Sequence, residues 1–232
     1  MNSLLTRKLL FPALTGLAIS LSAMGDDAAP QLSSEGLQLL EKDRRGEIYA
    51  NPDVDWSVYT EIKLEEASVA FRRNWQRDQN RYDPFKVKAS DMEKMKKRLS
   101  ELFGEVFTEE LSKDNGYVMA AGSGANVLTI QPAIVDLDIN APDTNSSAGR
   151  SRQYTESAGE MTLKLALYDS VTGELLATAS DHRESPYRGY LQWTTSVSNQ
   201  ADARRMLRHW ATSLRERLDR ASSKPAPAAV AE

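Results

Sequence analysis

Apolar and polar side chains alternate along one stretch of the chain with unusual regularity. Met161, Leu163, Leu165 and Leu167 fall on one parity, and Thr162, Lys164, Ala166 and Tyr168 on the other. A period of two predicts a strand with one buried face. Asp169 to Gly173 follows with turn chemistry: an Asp able to bond its own backbone, and a Gly free to take positive φ. Leu175 to about His182 then returns. The pattern predicts a long antiparallel hairpin within Gly159 to Ser185, and the other elements are placed around it.

Three further segments carry a strand signal. Tyr59 to Phe71 places Ile62 and Leu64 on one parity and Ala67, Val69 and Phe71 on the other. A change at Glu65-Glu66 fits either a β-bulge or two short strands in succession. Tyr117 to Ala121 is a short strand beyond the Asp114-Asn115-Gly116 turn, and Gly122-Ser123-Gly124 is a loop. Asn126 to Asn140 is longer, with Leu128 and Ile130 on one parity and Ala133, Val135, Leu137 and Ile139 on the other. The switch is placed at Pro132, which cannot donate to a ladder, and Asp136 and Asp138 are expected to point away from the core.

Two segments have helical spacing instead. Ser90-Asp91-Met92-Glu93 has the form of a capping box. Met92, Met95, Leu99, Leu102, Phe103, Val106, Phe107 and Leu111 follow at the spacing of an amphipathic helix ending near Ser112. The last helix, capped by Ser198 or Asn199, has Ala203, Met206, Leu207, Trp210, Ala211, Leu214 and Leu218 as its inner stripe. Arg215, Arg217 and Arg220 lie near its C-terminus, where the dipole favours cations. Together these elements predict an α+β fold, an antiparallel sheet of about four or five strands with two amphipathic helices packed on one face, in the order β-α-β-β-β-α.

Residues 26–47 read as a mobile leader, with a charged, solvated run from Glu41 to Glu47. The domain proper is expected over 48–221, with a Pro/Ala tail over 222–232 that has too little apolar surface to fold. Ala141 to Ala158 and Glu184 to Ser198 are polar connectors, the first expected to project as a mobile loop.

Composition changes the picture at the N-terminus. Arg7 and Lys8 precede an apolar run from Leu9 to Leu21, and Ala23-Met24-Gly25 offers the small residues a signal peptidase reads. That order predicts a secretory signal peptide over 1–25 and a periplasmic mature protein. Removing it, with two cations and no acid, takes the formal charge from −4 to −6. An acidic export product does not depend on bulk attraction to nucleic acid. The chain has no Cys, so it has no disulfide framework, no thiolate nucleophile and no lipid-modified Cys.

Candidate chemistry is sparse. Gly122-Ser123-Gly124 lacks the outer glycines of a nucleophile elbow and the Lys-Ser/Thr sequel of a phosphate loop. His182 and His209 are the two histidines, too few for an imidazole metal site, and no metal or other cofactor is expected. Asp181 and His182 are strand neighbours facing opposite ways, so one cannot orient the other in a triad. Asp136 and Asp138 share a face and could form a carboxylate pair or a Ca²⁺ site, or be an exposed sheet face kept wet. Most suggestive is the stretch from Arg72 to Lys86. Arg72, Arg73, Arg77 and Arg81, interleaved with Trp75, Tyr82 and Phe85, could grip an anionic polymer or lipid head group by charge plus stacking. The other reading is a connector whose aromatics anchor it to the sheet.

Several motifs in order resemble a bacterial family. They are Asn126-Val127-Leu128, Ile134-Val135-Asp136-Leu137, Asn140-Ala141-Pro142, Ala158 to Leu163, Tyr168-Asp169-Ser170 with Thr172-Gly173-Glu174, and Trp210-Ala211 with Leu214-Arg215 and Leu218-Asp219. The chain resembles the family catalogued as domain of unknown function 3313, over about Ser33 to Ala221. Its members are mostly predicted envelope lipoproteins with no assigned activity, so the resemblance implies location and supplies no catalytic residues. This chain departs from them in lacking the lipid-attachment Cys. The expectation is a non-enzymatic envelope accessory protein that binds a protein partner, with peripheral contact to membrane or cell-wall polymer as the alternative. A hydrolase using Ser123 or Asp136 is a third class, and it requires a concave pocket gathering titratable groups.

Overall fold

The computed structural model describes residues 32–81, 86–140, 153–155, 159–185, 192–194 and 196–223. The expected signal peptide and the Pro/Ala tail beyond Ser223 lie outside these residues. In chain order the elements are β1 (Gln38–Lys42), β2 (Gly46–Ala50), a 3-10 turn (Trp56–Val58), β3 (Glu61–Leu64), β4 (Ser68–Phe71), α1 (Trp75–Gln79) and α2 (Ala89–Ser112). Then come β5 (Val118–Met119), β6 (Val127–Ile139), β7 (Gln153–Thr155), β8 (Gly159–Asp169), β9 (Leu175–Glu184), β10 (Gln192–Thr194) and α3 (Ser196–Ser222).

The expected sheet of four or five antiparallel strands is corrected to an eight-stranded mixed sheet, ordered β1-β2-β9-β8-β6-β3-β5, with β4 also on β6. The hairpin β8–β9 forms as its alternation dictates, Leu163 opposite Asp181 and Leu165 opposite Ala179. Asp169 makes the turn: its carboxylate accepts from the Val171 and Thr172 N–H groups, and Gly173 sits at φ +72°. The extra strands come from segments whose pattern is weak or broken. Residues 38–47, expected as mobile leader, form the β1–β2 hairpin at the sheet edge. Asp43 closes its turn by accepting from the Arg45 and Gly46 N–H groups at 2.8 and 2.9 Å. Charges at Glu41, Lys42 and Glu47 hide it from a hydropathy reading, yet charged side chains are what an edge strand carries to resist further pairing. Gly46 is required there, because a Cβ would collide with the Ser180 carbonyl oxygen on β9.

Tyr59 to Phe71 is two short strands and not one bulged strand. Both lie parallel to β6, β3 along its first half and β4 along its second. This explains Pro132. Ile130 accepts from the Glu65 N–H at 3.0 Å, so the backbone groups of even-numbered β6 residues face β3 and β4. Pro132 aims its missing donor at the break between them. The Ala67 carbonyl in that break is taken by the hydroxyl of buried Ser100 on α2, at 2.8 Å. The parity switch expected at Pro132 occurs instead at Asp136. Pro132 is fully buried in phase with Leu128, Ile130 and Ile134, while Asp136 has φ +52° and shares with Leu137 the place opposite Met161.

Helix α2 ends where expected, but its N-terminal cap differs. Lys88 is the N-cap, and the Asp91 carboxylate accepts from its N–H at 3.0 Å, while Glu93 pairs with Lys96. Helix α3 starts at Ser196, two residues before the expected cap. Both helices cover one sheet face. Phe103, Val106, Phe107 and Leu111 of α2 and Leu207, Trp210 and Ala211 of α3 are buried against Ile62, Leu128, Ile130 and Leu163. Ion pairs Arg204–Glu105 (3.0 Å) and Arg208–Glu110 (2.9 Å) stitch the helices along their outer seam. Arg215 caps the end of α2 by donating to the Leu111 and Lys113 carbonyls. Of the two polar connectors, Gln153–Thr155 and Gln192–Thr194 pair as a two-stranded ribbon, and the rest of the projecting loop expected over 141–158 lies outside the described residues.

Candidate binding surfaces

The basic stretch is split by the structure. The main-chain turn at Asn74 (φ +64°) starts the single helical turn α1, and this sends Trp75 inward. Trp75 is 1% exposed, stacks on Phe71 with centroids 4.2 Å apart, and donates from its indole to the Ile139 carbonyl. It therefore cannot stack on a ligand, which corrects its place in the expected site. Arg72 is also committed, to Asp138 at 2.7 Å and Asp78 at 3.5 Å. Those carboxylates hold the Arg72 guanidinium even more firmly protonated than usual. Arg77 pairs with Asp78 and is exposed, Arg73 and Arg81 are exposed, and Tyr82 and Phe85 lie outside the described residues. Among the described residues, what remains is a cationic rim without its aromatic partner.

The other chemistry-bearing residues are dispersed. Ser123 is exposed in its loop and Asp136 is exposed on its bulge; neither lines the clefts described below. Asp138 is spent on Arg72. Asp181 and His182 face opposite ways, as strand geometry requires. Asp181 accepts from the Trp210 indole and the Arg183 guanidinium, both at 2.7 Å, on the helix side. His182 meets Thr162 (3.1 Å) and Glu160 (3.7 Å) on the open side. His209 is held below the ordinary imidazole range by burial and by the neighbouring Arg183 charge. No three His, Asp or Glu side chains gather as a metal site would need, among the described residues.

Two concave surfaces are better formed. The first is the sheet face turned away from the helices. Register places Glu47, Ser180, Lys164, Ala133 and Ser68 in one row across five strands. The next row holds Tyr49, Thr178, Ala166 and Gln131. Small side chains at Ala133, Ala166 and Ser180 make a floor between taller Tyr49, Tyr168 and Lys164, a trough of about 890 Å³. Carboxylates at Glu35, Glu47, Glu65 and Glu66 outnumber its single lining cation, Lys164. The sequence showed the polar alternation on β8 but not the depth, which needs the cross-strand register.

The second is a cleft of about 470 Å³ between the N-terminal halves of α2 and α3, floored by the ends of β6 and β8. Its walls come from stripes that were read as core, so no sequence signal marked it out. No helix is long and apolar enough to cross a membrane, among the described residues.

The family model for proteins of unknown function DUF3313 matches residues 28–214, most of the chain. The chain belongs to the DUF3313 family. No curated relative matches this DUF3313 protein. Among solved structures, the PelC dodecamer from Paraburkholderia phytofirmans is 8% identical, over 73% of this chain and 97% of that one, with a TM-score of 0.35. Protein XCC0632 from Xanthomonas campestris is 14% identical, over 80% of this chain and 90% of that one, also at 0.35. Likenesses this distant say nothing of this DUF3313 protein's partners, and the twelvefold assembly is a property of PelC.

Proposed function

We propose that this chain is a non-enzymatic, exported accessory protein of the cell envelope that seats a protein partner on the open face of its sheet. The trough carries the reading. It crosses five strands, has a small-residue floor between two tyrosines, and has an excess of carboxylates suited to a basic surface. The signal-like N-terminus supports the compartment. A photo-crosslinking residue at Ser180, with Glu216 on the outer face of α3 as control, tests it in cells. An adduct of one defined size at Ser180 alone, lost when Ala166→Trp fills the floor, is expected. Equal labelling at both positions, or an adduct indifferent to Ala166→Trp, overturns the reading.

Exposed Arg73, Arg77 and Arg81 favour a second reading, a binder of anionic polymer or lipid head groups. With Trp75 buried, it rests among the described residues on charge alone. Replacing Arg72, Arg73, Arg77 and Arg81 with Ser should then abolish salt-sensitive retention on anionic ligands, and unchanged retention dismisses it.

A further inference from the structure

We infer that the cleft between α2 and α3 takes a long-chain fatty acid, its hydrocarbon chain between the helices and its carboxylate at Arg98. The volume, about 470 Å³, lies within the range of about 300–1,000 Å³ in which small-molecule sites are found. The lining is apolar and adaptable: Met95 and Leu102 on α2, Met206 on α3, and Ile139 and Met161 beneath. Three thioethers from three elements meet in one cleft. Unbranched, polarisable Met side chains shape themselves to an irregular or variable apolar guest better than branched ones do.

Charge at the mouth selects the head group. Four carboxylates line the cleft, and three pair with a cation: Glu101 with Lys97, Glu105 with Arg204, and Asp138 with Arg72, while Glu160 meets the His182 ring on the open side. Arg98 is the single cation of the lining. It makes no hydrogen bond or ion pair among the described residues. An apolar slot with three of its four acids matched, and with a lining cation that no described residue pairs, is complementary to a guest with an apolar body and one negative end at that cation. A guanidinium beside hydrocarbon also suits a carboxylate better than water alone would, because its planar fork bonds both oxygens. This site is separate from the trough of the proposed function, which opens on the opposite sheet face.

The test uses the full chain and cis-parinaric acid, a fatty acid that fluoresces when taken out of water. Saturable binding of one probe per chain is expected, displaced by palmitate and about tenfold less well by uncharged hexadecanol. Ala203→Phe, which builds into the cleft from α3, should abolish binding, and Arg98→Glu should weaken it by about tenfold. Should Ala203→Phe fail to fold by circular dichroism, Met206→Trp takes its place. Ala166→Trp on the open face should leave binding intact, so failure here and failure of the trough reading are distinguishable. Absence of saturable binding overturns the inference. Binding that survives both cleft-filling variants overturns the site. Hexadecanol matching palmitate, or an indifferent Arg98→Glu, overturns the role of the charge.

Discussion

The indole Nε1 of Trp210 donates to the Asp181 carboxylate at 2.7 Å, joining the buried stripe of α3 to the centre of β9. The same carboxylate accepts from Arg183 at 2.7 Å and faces Arg45 at 3.9 Å. Removing it leaves an indole donor and a guanidinium without their acceptor in a partly desolvated seam. Asp181→Ala should cost about 2 kcal/mol, and Asp181→Asn, which keeps an acceptor oxygen, should cost less. Urea unfolding at constant m value reads both.

Trp75 and Arg73 are near neighbours in sequence with opposite roles. Trp75→Ala removes a ring packed on Phe71 and should cost about 3–5 kcal/mol, while Arg73→Ser should stay within about 0.5 kcal/mol of wild type. Thermal denaturation of the two variants separates an anchor from a surface charge. Equal effects would mean that the connector does not hold the position described.

Asp169 makes stability depend on acid. The backbone N–H of Thr172, and then the hydroxyls of Tyr59 and Thr172, hold its carboxyl below the ordinary range despite opposing burial. A carboxyl whose pKa is lower folded than unfolded contributes stability that is fully present above the unfolded value, about 3.9. That contribution is lost as pH falls through the folded value. The stability gap between wild type and Asp169→Asn should therefore be constant from pH 5 to neutrality and shrink as pH drops below about 4. On the same bond, Tyr59 is pushed above the usual phenol range, first by burial and then by Asp169.

Ser100 is a polar residue in the core face of α2, and its hydroxyl serves the Ala67 carbonyl in the β3–β4 break. Ser100→Ala should cost about 1–3 kcal/mol, the desolvation of an unpaired buried acceptor. Hydrogen exchange should quicken first in β3 and β4, the strands flanking the break.

The sequence was most informative where one periodicity runs uninterrupted. Strands β8 and β9 and helices α2 and α3 bury the side chains that their spacing selects. It failed where pairing and not patterning decides. Charges at Lys42 and Glu47 masked an edge hairpin, and nothing local says that β3 and β4 run parallel to a strand far later in the chain (Ser68 lies opposite Ala133). Pro132 drew the parity switch because a missing donor usually marks an irregularity, yet the irregularity lies in the partner strands. The basic stretch was legible as charge, but whether Trp75 stacks on a ligand or anchors the connector was not, since only the left-handed turn at Asn74 decides which way it points. Neither concave surface has a signature in the chain, because each is made by register or by helix spacing.

Strand β6 is bordered on one side by β8, which follows it, and on the other by β3 and β4, which precede it. A nascent chain that has reached only Ser112 therefore holds the β1–β2 hairpin, two more strands with no ladder to join, and a long greasy helix with no sheet to lie on. Until β6 leaves the ribosome the body of the sheet cannot close. For the exported protein proposed above that delay would have a use: a chain that cannot knit itself together before its middle is complete stays threadable for longer.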